Sequence, residues 1–204
     1  MTHFLYDQHS SSNAERSGAQ VDISQCPKFM GKVYSYTSAT AIFYAPSDLS
    51  GAGGMYRQCI HASSSWQKGP KQYDCVFIEK DPSLSGFQNL FVAKVLHFFD
   101  FEFRNKYYPC ALVHWFDSIG DQPCPNTGMW MVEPECSNDE GEPTLSVIHL
   151  NCIMQPAHLI SIYDTTPIPK DLHYSDSLSA FSAFYINKFS DYHAYGLAFQ
   201  FSNT

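Results

Sequence analysis

The chain has 204 residues, 44% of them hydrophobic and 16% aromatic, and a formal net charge of −8. That length suits one domain of ordinary size, and a charged content of 16% is well below the usual quarter, which predicts a packed core and an apolar surface. An acidic balance with no Lys/Arg cluster beyond the pair at Lys68 and Lys71 disfavours direct DNA binding, and no apolar run reaches the roughly 18 residues of a membrane span.

The cysteines at 26, 59, 75, 110, 124, 136 and 152 are odd in number and irregular in spacing. Met1–Ser10 has neither a basic start nor a long apolar run, and no Asn-x-Ser/Thr occurs. Free thiols in a reducing, intracellular compartment are the expectation.

Residues 1–25 are polar and aperiodic and predict a disordered tail, with Phe4, Leu5 and Tyr6 more readily undocked than docked. A single domain is expected over residues 32–200. Lys32–Ala45 (KVYSYTSATAIFYA) mixes β-branched and aromatic residues and predicts one strand. Ser47–Gly54 is a Gly/Ser loop; its glycines lead to Met55-Tyr56 rather than Gly-Lys-Ser/Thr, so it is not a phosphate loop. Met55–Ser65 runs to a turn at Trp66–Pro70, Tyr73–Glu79 predicts a strand, and Asp81–Gly86 a loop.

Leu90–Ser118 (LFVAKVLHFFDFEFRNKYYPCALVHWFDS) is the stretch around which the rest is organised. Two aromatic-rich runs flank the polar break Arg104-Asn105-Lys106, which predicts a hairpin of two central strands. The tip lacks Asn-Gly or Asp-Gly, so a loop longer than two residues is expected. Met129–Glu133, Thr144–Leu150 and His158–Tyr163 predict further strands, with acidic or proline-rich connections at Ile119–Gly128, Glu135–Pro143 and Asp164–Lys170. Pro156 argues against a regular central strand around it. Over 176–192, Leu178, Phe181, Tyr185 and Phe189 recur at helical spacing behind Ser175, Asp176 and Ser177, which predicts a C-terminal amphipathic helix. Many short strands and one late helix give a mostly β fold, a small barrel or sandwich (α+β overall).

Four kinds of chemistry can be weighed against plainer readings. Cys124, Cys136, His149 and Cys152 could supply four zinc ligands, but only His149 and Cys152 have the close spacing of structural sites. Cys110 and His114 share a strand face while Asp117 points to the other, so a collinear triad fails. Asp100 and Glu102 lie about 7 Å apart on one face, a separation suited to acid/base work but more simply the solvated side of a hairpin. Trp115, Phe116, Trp130 and Tyr163 fall at strand ends near Asp117 and Glu133. Aromatic rings beside a carboxylate suit methylated ammonium groups, although large aromatics also fill small barrel cores.

YDCVFIEKDPSLSGF, LFVAKVLHFFDFEF, YYPCALVHWFDSIGDQP, TGMWMVEPE, SVIHLNCIMQPAHLISIY and SLSAFSAFYINKFSDYHA together resemble a block of fungal proteins. That block is similar to the C-terminal accessory region of Plavaka-type transposases of the cut-and-paste DDE class. The likeness runs from about Val33 to His193 and carries no catalytic residue, since no DDE core can be placed on the chain. The order of AKVLHFF, VHWF, MWMVEP and SVIHL…AHLISIY is also similar to the bromo-adjacent homology (BAH) barrel, which implies a small BAH/SH3-like barrel of about 6–7 short strands. In BAH members that read histone tails, the strand ending in Trp-Phe leads to the ligand end. Carried over, this points to Trp115, Phe116, Asp117 and Trp130; no basic residue follows Trp-Phe here, which departs from nucleosomal DNA contact.

The combined expectation is a non-enzymatic, transposon-derived, nuclear protein-interaction module. It would read a basic or methylated chromatin peptide with Trp115, Phe116, Asp117, Trp130 and Tyr163, without metal or cofactor. The alternatives are a structural or homodimerising module, and a metal-dependent enzyme or zinc-binding domain with an unrecognised site.

Overall fold

Two long strands dominate the structure, a computed structural model that describes residues 1–9, 21–45, 52–80, 86–138, 141–163, 168, 170–190 and 195–196. They are β6 (Leu90–Phe103) and β7 (Lys106–Ser118), paired antiparallel from Val92↔Phe116 to Phe103↔Lys106. The hairpin is as the sequence predicts, but its loop is shorter. Arg104 (φ 52°) and Asn105 (φ 60°) close it in two residues. Positive φ at both positions is the type I′ geometry, whose twist matches that of the flanking strands. Asn accepts this backbone readily; Arg104 is held there by the ladder on both sides, with its guanidinium over the Phe103 ring at 5.1 Å.

Each long strand serves two short neighbours along its outer edge. β6 takes β5 (Cys75–Glu79) along its first part and β1 (Val33–Tyr36) along its last. β7 takes β9 (Leu145–His149) at its middle and β8 (Met131–Pro134) at its end. Beyond them lie β10 (Ile153–Ala157) on the β5 edge, and β12 (Phe184–Ile186) then β11 (Leu159–Ser161) on the β8 edge. β10 and β11 are separated only by His158, so one run of chain reaches from one edge to the other. The fold is therefore mostly β, a nine-stranded sheet whose main path of seven strands, β10-β5-β6-β7-β8-β12-β11, nearly closes into a barrel, with β1 and β9 off that path. A second sheet, β2 (Ser38–Tyr44), β3 (Met55–Ser63) and β4 (Gln72–Tyr73), packs over the outer face of the hairpin.

Three clusters of buried side chains follow from strand alternation. Phe77, Leu90, Val92, Phe116, Val132, Phe184 and Ile186 fill the barrel. Val76, Ile78, Ala93, Val95, Phe98, Ala111 and Val113 meet Ile60 and Ala62 of the second sheet. Val95 and Phe98 would lie on opposite faces of a regular strand; a register shift between Val95 and His97 inserts the extra residue that brings them together. Past this bulge, Phe99, Phe101, Tyr108 and Cys110 form the third cluster. Full burial of each such aromatic contributes about 1.5–3 kcal/mol.

That third cluster corrects the expectation of a tail. Thr2–His9 is a helix, α1, with Phe4 and Leu5 buried, and Phe4 meets Phe101 and Tyr108 edge-on. Without α1 the end of the hairpin would expose these rings to water. Residues 10–20 of the predicted tail lie outside the described residues, as do 47–51, 81–85 and 139–140 of the predicted loops, 164–167 and 169 of the predicted linker, and 191–192 of the predicted helix.

Lys32–Ala45 is two strands, because a bend at Thr37 passes the chain from the barrel (β1) to the second sheet (β2). Pro156 lies inside β10, which among the described residues pairs with β5 alone, so the proline sits on an edge strand, where it is tolerated. The C-terminal helix expected over 176–192 shrinks to α2 (Ser177–Ala180), and the backbone turns extended at Phe181. Phe184 and Ile186 then alternate into the barrel, 0% and 1% exposed, between β8 and β11. Two strand edges needing partners outweigh a helical period that would leave both side chains without a core. No helix among the described residues is long and apolar enough to cross a membrane.

Two outcomes test this architecture by urea unfolding. Phe184→Ala costs about 3–5 kcal/mol, whereas Phe189→Ala, at a position 76% exposed, stays within about 0.5 kcal/mol; an amphipathic helix would make the two comparable. Arg104→Asn combined with Asn105→Gly raises stability by about 1 kcal/mol by relieving the left-handed turn.

Candidate functional site

At one end of the barrel the start of β6, the end of β7, the Gly86–Asn89 3₁₀ turn and the loop after β7 border an open cavity of about 520 Å³. Its lining takes consecutive residues from both strands, Leu90–Val92 and Phe116–Ser118, so side chains of both strand faces meet at this end. Phe116 follows the inward face of β7, is 4% exposed and lies edge-on to Phe184 at 5.9 Å. Phe87 and Trp130 stack at 4.8 Å with 29° between their planes. Phe91 adds a further ring, with the Lys80 ammonium 4.9 Å from its centroid. Asp117 and Asp121 bring carboxylates to the lining. Asp117 also stands in register with Glu133 of β8, so like charges face each other across the strands, an arrangement that a cation would relieve.

The structure brings Phe116, Asp117 and Trp130 together in this cavity and leaves Trp115 and Tyr163 outside it. Trp115 is the neighbour of Phe116 on a strand and so faces the other way, packing on the second cluster with its ring 5.4 Å from Phe91. Tyr163 is 64% exposed and meets Phe181 edge-on at 5.1 Å. Phe87, Phe91 and Asp121 are lining residues that the sequence did not single out. Phe87 and Asp121 belong to a short turn and a polar loop, where no periodicity marks a direction.

The other candidates disperse. Among the described residues no group of three or more His, Cys, Asp or Glu is gathered to hold a metal ion. Cys136 and Cys152 are exposed, and His149 caps the Leu150–Cys152 turn by accepting from the Asn151 N–H. Cys110 is buried, which pushes its thiol up to about 12, and His114 Nε2 is 2.9 Å from the Glu135 carbonyl. Asp100 corrects the reading of a solvated acidic face. It is 4% exposed and accepts a 2.6 Å hydrogen bond from the Tyr107 hydroxyl. That bond to a carboxylate pushes the Tyr107 phenol up to about 12. Glu102, two residues on, is exposed.

Cys124 is different. It opens a tight turn in which the Gly128 N–H reaches its carbonyl at 2.7 Å. The Thr127 N–H and hydroxyl and the Asn126 N–H converge on its sulfur and lower the thiol to about 7; the Tyr185 hydroxyl, 3.8 Å away, adds to this.

Compared with protein-family models, with curated proteins and with solved structures, the chain gives no match.

A thiol whose folded pKa lies below its ordinary value stabilises the fold as it ionises. The gain begins as pH rises through about 7, is complete above the ordinary thiol value near 9, and is lost again on acidification. Unfolding free energies measured against Cys124→Ala therefore diverge in favour of the wild type between pH 7 and pH 9, and converge below pH 6.

Proposed function

We propose that the barrel-end cavity receives a basic side chain of a partner peptide, with methylated lysine as the best-fitting class. The observation that carries this reading is a lining that holds the stacked Phe87–Trp130 pair with Phe116 and Phe91, and Asp117 and Asp121 among the same residues. Aromatic faces attract alkylammonium groups through the ring quadrupole, and desolvation in a cavity strengthens that attraction to about 2 kcal/mol. Lys80 above Phe91 is an internal instance of the same contact. The net charge of −8 favours a basic partner through long-range attraction. In this reading the chain is a protein-interaction module, related through the motif resemblance to a transposase accessory region and acting on chromatin peptides in the nucleus.

A second reading, self-association, draws on the barrel edge. β1 pairs with β6, and its Val33, Tyr34 and Tyr36 are 43%, 57% and 48% exposed. Exposed apolar edge strands are templates for pairing with another chain. Sedimentation at increasing concentration decides it: a constant monomer removes this reading.

The first reading is tested by calorimetric titration with a histone-tail peptide, unmodified and trimethylated on lysine. The methylated form binds more tightly. Trp130→Ala weakens it by about 2 kcal/mol, roughly thirtyfold in Kd, and Trp115→Ala leaves it unchanged. Failure of both peptides to saturate the protein, or equal binding by Trp130→Ala, removes the proposal.

A further inference from the structure

A second cavity, of about 570 Å³, shares no lining residue with the first. It lies between β3, the Gln72–Cys75 segment and the β10–β11 junction, with the start of α2 at its rim. Three residues in its lining form a chemical sequence: an exposed thiol (Cys59), an imidazole (His61) and a carboxylate (Asp74). Cys59 and His61 are two apart on β3 and so share a face, about 7 Å apart along the strand, while Ile60 between them is buried the other way.

His61 is held firmly. The Asp74 carboxylate accepts the His61 backbone N–H at 2.7 Å and stands 2.8 Å from ring Nδ1, and the Asp74 N–H donates to the His61 carbonyl at 2.9 Å. An ionised carboxylate only accepts, so Nδ1 carries the hydrogen and donates it. The Gln72 amide nitrogen, 3.0 Å from Nδ1, therefore does not donate to it; that amide donates to the other Asp74 oxygen at 3.3 Å. Trp66 packs edge-on against the imidazole at 4.2 Å. In its neutral form His61 then keeps its lone pair on Nε2, the tautomer a general base needs.

We propose that Cys59, His61 and Asp74 form a nucleophile, a base and a positioning acid that take a small activated acyl ester in this cavity. Cys59 Sγ attacks the carbonyl carbon as its proton passes to His61 Nε2 through one bridging water, which spans the separation between the two side chains. The acyl–oxygen bond then breaks, and the leaving alkoxide takes that proton. Cys59 is left as a thioester, which water hydrolyses with His61 again accepting a proton, releasing the acid and restoring the thiol. Asp74 holds the ring and meets no substrate. Cys75 lines the same cavity, but burial pushes its thiol up to about 12 and keeps it silent.

The test uses p-nitrophenyl acetate on the full chain, with acetylation mapped by peptide mass spectrometry. Cys136 and Cys152, also exposed, are internal controls. Cys59 acetylates at least about tenfold faster than either, since a positioned base contributes a hundredfold or more in favourable sites. His61→Gln brings Cys59 down to the control rate without changing the controls, which also reports an intact fold. Asp74→Asn does the same and Asp74→Glu restores much of the rate. Equal rates at Cys59 and the two controls, or a Cys59 rate untouched by His61→Gln, overturn the proposal.

Discussion

The antiparallel ladder between β6 and β7 carries every other layer of the molecule. Both of its faces are covered, and each outer edge holds two further strands. A slip of one residue would send Phe116 and Val92 out of the barrel and bring Trp115 and Ala93 in, so the register is strongly specified. The bulge at Val95–His97 is part of that specification. It allows one strand to face the barrel, the second sheet and α1 in turn.

What could be read from the sequence follows from what the neighbours decide. The hairpin was legible because two apolar runs bracket a polar break, whatever else surrounds them. Its two-residue turn was not, since Arg-Asn has only half of the usual left-handed preference and the ladder imposes the rest. The segment 176–192 satisfies two periods at once. Leu178, Phe181, Tyr185 and Phe189 repeat as a helix would, while Phe184 and Ile186 alternate as a strand would. The open edges of β8 and β11 choose between them, and those edges are made by residues distant in sequence. Docking of Phe4 and Leu5 was likewise invisible, because it depends on the uncovered rings of Phe99, Phe101 and Tyr108.

The site shows the same division. Phe116, Asp117 and Trp130 were readable as aromatics and a carboxylate at strand ends. Strand alternation puts both Trp115 and Asp117 on the face opposite to Phe116; Trp115 packs on the second cluster, while Asp117, exposed near the end of β7, stays among the lining residues. The acids also sort by environment rather than by pattern. Asp100 and Asp117 both follow an aromatic on a central strand. Asp100 is buried against the Tyr107 hydroxyl, while Asp117 is exposed beside Glu133. The first has its hydrogen bond within the fold; the second retains acceptor capacity for something outside it.

The two cavities are joined by β5 and by little else. Cys75, at the start of that strand, lines the second cavity, and Lys80, just past its end, lines the first. Between them Val76, Phe77 and Ile78 are at most 3% exposed and paired on both sides, to β6 and to β10. A strand packed that tightly has one arrangement, and coupling between sites needs an element with two. The cavities therefore act as independent features of a rigid wall. Rings and acids line the one, an imidazole–carboxylate pair lines the other, and they have no lining residue in common.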